Sequence, residues 1–166
     1  MSRAILLLAA AGAAGAVLAA GCGNEPEGPE TAAPLEPATI RAVGPAPMAR
    51  EVSRRPVFRW KLPPHLAQPT LVTFVLAEAG AGDEPATDEA AHRRIATATG
   101  LADAGPESIN LWDPPAGCVL TGEVEDMPQL APDTWYRWTV RAVAPGEAGH
   151  ADFYFRTRAE PAVPEG

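Results

Sequence analysis

From Thr134 to Ala142 the chain alternates with a period of two: Thr134, Tyr136, Trp138, Val140 and Ala142 in one phase, Trp135, Arg137, Thr139 and Arg141 in the other. A helix, with 3.6 residues per turn, would scatter both sets around its circumference, whereas a strand sends them to opposite faces. The run therefore predicts a half-buried strand over 134–143, with Tyr136 and Trp138 turned to a core and Trp135, Arg137 and Arg141 on an outward face. Aromatic and arginine side chains dominate interface energetics, which makes those three the candidate binding residues. The competing reading buries Trp135 under the long middle of the chain and pairs the arginines with nearby acids.

The same period recurs in shorter runs, and 19 Pro and 15 Gly interrupt them before helical length is reached. Strands are expected at 39–43, 57–62, 70–77, 93–99, 107–112, 118–124, 134–143 and 152–158, an all-β sandwich with no internal repeat. The acidic stretch "EAGAGDEPATDEAAH" is long for a hairpin loop and predicts a helical turn over 87–92 with Thr87 as its N-cap. About 120 residues are enough for one domain, 39–158, followed by a loose Pro/Glu tail, 159–166.

The start of the chain gives an address. "MSRAILLLAAAGAAGAVLAAGC" holds one charge, Arg3, before an apolar run over 4–20 and a small-residue junction at Gly21-Cys22. The run is shorter than the ~20 residues a spanning helix needs, so it is expected to be a secretion signal, 1–21. "GNEPEGPETAAPLEPA" follows, with one Leu and no aromatic, and cannot bury enough apolar surface to offset chain entropy. Residues 22–38 are thus expected to form a disordered spacer, reaching roughly 50 Å if extended in the manner of Pro-rich linkers.

Several function classes drop out. The formal charge is -8 and Lys61 is the only lysine; with no basic stripe to displace counterions, nucleic acid is not an expected partner. Ser2, Ser53 and Ser108 are the only serines and none sits in a nucleophile elbow. Gly80 and Gly82 lack the third glycine and the lysine of a phosphate loop. Asp83, Glu84, Asp88 and Glu89 offer oxygen ligands, but at no EF-hand spacing. No cofactor is expected, and the chain is expected not to be an enzyme. Cys118 has no local catalytic histidine and is expected to pack as a small apolar group.

Two resemblances sharpen this. The junction "LAAGC" resembles the lipobox of bacterial lipoproteins, which implies that Cys22 is acylated and becomes the mature N-terminus. That implies a membrane partner through the lipid, at the outer membrane or cell surface if the organism has two membranes; a cleaved secreted or periplasmic protein is the alternative. "LAPDTWYRWTVRAV" resembles strand F of fibronectin type III domains with its tyrosine corner, "RPVFRWKLPP" resembles strand B with its core tryptophan, and "HADFYFRTR" resembles the closing strand G. The resemblance implies a fibronectin type III-like antiparallel β-sandwich with a core of Trp60, Tyr136, Trp138 and Phe155, and leaves the register of 78–128 open. By that family's layout His65 falls in the B to C loop and His150 in the F to G loop, at one pole, as weak candidates for a metal. The function implied is a non-catalytic, membrane-anchored envelope module that binds a protein or glycan, the alternative being a structural subunit of a larger envelope complex.

Overall fold

The computed structural model describes residues 39–161; the expected signal 1–21, Cys22, the spacer to residue 38 and residues 162–166 of the tail lie outside them. The described residues form an all-β sandwich of nine strands: β1 (Arg41–Gly44), β2 (Ala49–Val52), β3 (Val57–Lys61), β4 (Leu71–Glu78), β5 (Arg93–Thr99), β6 (Ser108–Asn110), β7 (Val119–Thr121), β8 (Trp135–Ala144) and β9 (Glu147–Thr157). One sheet has the order β1-β3-β6, the other β2-β9-β8-β4-β5-β7. Every pairing is antiparallel except that of β2 with β9. No helix of the described residues is long and apolar enough to cross a membrane.

Aromatic side chains meet between the sheets. Phe58 and Trp60 of β3 pack on Phe74 of β4 at ring separations of 4.8 and 6.1 Å, and on Trp138 of β8 at 5.6 and 6.3 Å. Phe155 of β9 closes against Phe58 and Tyr136. All of these rings are buried. Each contributes on the order of 1.5 to 3 kcal/mol by burial, enough to fix which phase of each strand turns inward.

The corner leading into β8 turns at Pro132-Asp133 and is held by side-chain hydrogen bonds. The Ala131 amide donates to the Tyr136 hydroxyl at 2.9 Å. The Thr157 hydroxyl donates to Ala131 O at 2.7 Å and accepts from the Thr134 amide at 3.0 Å. Buried Thr134 and Thr157 thus satisfy each other while joining the end of β9 to the start of β8. Burial pushes the Tyr136 phenol from its ordinary 10 up to about 12, against the opposing pull of the amide it accepts from.

Three local expectations need correction. The turn in the acidic stretch is Glu89–Ala91, and Asp88, not Thr87, caps it by accepting from the Ala90 amide at 3.0 Å. β9 begins at Glu147 rather than at residue 152, because Pro145 and Gly146, the latter at φ +80°, turn the chain directly from β8 into β9. The connection between β8 and β9 is therefore a two-residue turn, and His150, expected in a loop, is a strand residue opposite Arg141. β2 was not expected at all.

Candidate binding face on the six-stranded sheet

The outward phase of β8 runs Trp135, Arg137, Thr139, Arg141, and the four have separate fates. Trp135 is fully buried, which removes it from the candidate face. The chain leaving β4 first stays paired with it, the Trp135 amide donating to Gly80 O at 2.7 Å and its carbonyl accepting from the Ala79 amide at 2.8 Å, and then covers the ring, whose indole N–H donates to Gly82 O at 3.0 Å. Arg50 of β2 closes the remaining side, with its guanidinium 5.5 Å from the ring centre and a hydrogen bond to Asp83 O. Of the buried tryptophans Trp60, Trp135 and Trp138, Trp135 alone has an acceptor for its indole N–H, supplied by Gly82.

Arg137 is half-buried between two carboxylates. It donates to Glu89 at 3.0 Å, and its Nε lies 3.3 Å from Asp152, within ion-pair reach but off hydrogen-bond alignment. Burial works against its charge, but Asp152 and Glu89 outweigh it, and the guanidinium holds its proton more tightly than usual. His92 stands beside it: its Nε2 is 2.7 Å from Ala86 O and its Nδ1 3.4 Å from the guanidinium. The geometry assigns the Nε2–H tautomer, because Nδ1 must accept from Arg137. Tyr154 of β9 meets the His92 ring edge-on at 6.2 Å.

These residues wall a shallow groove of about 240 Å³ whose floor is Val75, Ala77 and Thr139 and whose far rim is Arg94. Thr139 also borders a second depression of about 350 Å³ with Arg141 and His150. The two meet at Thr139 of β8. Among the described residues Arg94 and Arg141 enter no ion pair and are exposed. The face therefore offers one arginine fixed in place by carboxylates and two held ready for an external acceptor, around a floor of small side chains. Arg137 already turns Nη1 and Nε to Glu89 and Asp152, so it is Arg94 and Arg141 whose planar forks are open to an external carboxylate or phosphate.

Alternation in the sequence singled out Arg137 and Arg141 but missed Arg94 and His92. A register shift between Leu76 and Ala77 in the pairing of β4 with β5 breaks the phase, so that Arg93 and Arg94 are both exposed and Ile95 and Ala96 both buried. Arg93 is used locally, bridging Glu78 and Glu123. His65 lies in the single turn Pro64–Leu66 and is exposed, while His150 points outward from β9. Among the described residues no three His, Cys, Asp or Glu side chains converge on a metal position. Cys118 is a free, half-buried thiol that burial pushes to a higher pKa. Compared with known proteins, the chain matches no family model, no curated protein and no solved structure.

Proposed function

We propose that the chain is a lipid-anchored protein of the bacterial cell envelope that displays a fibronectin type III-like domain as a non-catalytic binding module. Its contact surface is the groove along β8, and its partner is an envelope protein or glycan that presents acidic groups. The observation that carries this reading is Arg137, held rigid by Glu89 and Asp152, with unpaired Arg94 and Arg141 on the same face. The domain assignment is supported by the three-plus-six strand order, by Trp60 in the core of β3, and by the Tyr136 hydroxyl accepting from Ala131 at the corner before β8.

The test uses the membrane-anchored protein, crosslinked in cells and purified, with Arg94→Glu/Arg141→Glu as the comparison. Both substitutions are at exposed positions and should leave the melting temperature unchanged. The captured partner should disappear from the variant. A partner retained at full yield would place the contact elsewhere, and one recovered at fixed stoichiometry in every preparation would favour a structural subunit. Loss of incorporated radioactive fatty acid in Cys22→Ala tests the anchor separately.

A further inference from the structure

The outer face of the three-stranded sheet carries a charge pattern that the sandwich itself does not explain. Phe58 and Trp60 are buried and Ala42 packs against the core, so alternation turns Arg41, Val43, Val57, Arg59 and Lys61 outward. Arg41 and Lys61 are direct cross-strand partners, a placement in which like charges repel. Arg59 stands two residues before Lys61 on the same side, opposite Ser108 of β6. All three cations are exposed, and among the described residues none enters an ion pair. Glu107, the acid that precedes β6, accepts from the Leu62 amide instead. Val43 and Val57 beside them are 62 % and 42 % exposed.

In a chain of net charge -8 this face is a local inversion of sign. We infer that it rests on an anionic phospholipid leaflet. The grooves described above open on the opposite sheet, whereas this face pairs a small cluster of cations with exposed valines. That combination suits a headgroup layer: guanidinium and ammonium groups meet phosphates while short apolar side chains reach the interface. β1 is also the first strand after the spacer, so the chain enters the domain on this sheet. The inference rests on the anchor reading. Acyl chains on Cys22 would confine the domain within roughly 50 Å of the leaflet, where contacts too weak to recruit a free protein suffice to orient a tethered one.

Lys61 is the only lysine, so amine acylation followed by mass spectrometry of its peptide reports this face directly. The acylated full chain is reconstituted in vesicles of phosphatidylcholine alone, or with phosphatidylglycerol added. Flotation reports the anchor and Lys61 labelling reports the face. Labelling should be roughly ten- to a hundredfold slower on the anionic vesicles, the order set by two or three basic side chains near such a surface. High salt should erase the difference, and so should Arg41→Glu/Arg59→Glu with an unchanged melting temperature. Equal labelling on both vesicle types, in protein that floats with both, overturns the inference. So does slow labelling in detergent that is relieved by Gln at Glu25, Glu27, Glu30 and Glu36, which would assign the face to the chain's own acidic segment. A chain that floats with neither vesicle refutes the anchor and with it this orientation.

Discussion

The phenol of Tyr136 makes the stability of this domain depend on alkaline pH in a way that one methodical comparison can isolate. In the folded chain its pKa is about 12 against an ordinary 10, and burial is the main cause. Below pH 10 the phenol is neutral in both states, and the full stabilisation is present. Between 10 and 12 the unfolded chain releases a proton that the folded chain keeps, so stability falls as pH rises. Two units correspond to about 2 to 3 kcal/mol lost across that window. Tyr136→Phe keeps the buried ring but leaves the Ala131 amide without its acceptor, costing about 1 to 2 kcal/mol at neutral pH because that site is only partly buried. The wild type should therefore be the more stable protein at pH 7, lose its lead above pH 10, and match or fall below Tyr136→Phe near pH 12. Urea unfolding at stepwise pH measures both curves, and groups common to both proteins cancel in the difference. A gap between the two that stays constant from pH 8 to 12 would refute the buried-phenol argument.

Two further substitutions test the packing from other sides. Trp135→Ala should cost about 3 to 5 kcal/mol in unfolding free energy, as for a core tryptophan, with a correspondingly lower denaturant midpoint; a change within half a kcal/mol would return Trp135 to the exposed face. Gly122 has φ +119°, and a Cβ there would sit 2.5 Å from Ile95 O, a backbone atom that cannot swing away. Gly122→Ala should lower stability by about 2 to 4 kcal/mol and raise amide exchange in β5 and β7, and an unshifted thermal melt would contradict the close packing of this sheet edge.

Strand positions were legible because burial on one face imposes a period of two, and eight of the nine strands fall where that period predicts them. β2 was hidden for a physical reason. Pro45 and Pro47 precede it and Met48 and Glu51 take positive φ, so it shows neither alternation nor an unbroken run. What sets it beside β9 is a few long-range backbone contacts, such as the Met48 amide donating to Tyr154 O at 2.7 Å. The candidate face was only half legible for a related reason. Alternation correctly separates Trp135 from Tyr136 and Trp138, but it says which side a residue takes and not what lies over that side. Trp135 is covered by Ala79–Gly82, an alternation of Ala and Gly whose small side chains leave no strand or helix pattern to read. Arg94 was lost to a bulge, which shifts the phase by one residue without leaving a mark in composition.

Net charge is blind to the arrangement that alternation creates. Each strand buries one phase, so its charged residues are forced onto the two outer faces of the sandwich, and those faces differ in how the cations are balanced. On the six-stranded face Arg137 and Arg156 have carboxylate partners, Asp152 and Glu89 for the first and Asp133 for the second, while Arg94 and Arg141 have none among the described residues. On the three-stranded face Arg41, Arg59 and Lys61 have none among the described residues, and two of them are set directly opposite each other. The six-stranded face sets its unpaired arginines beside a fixed one around a groove, which favours selective contact, whereas the three-stranded face has only unpaired cations, which gain most from a diffuse field of negative charge. Because the two outer faces of a sandwich point in opposite directions, a domain resting on β1, β3 and β6 would present the β8 groove away from the membrane.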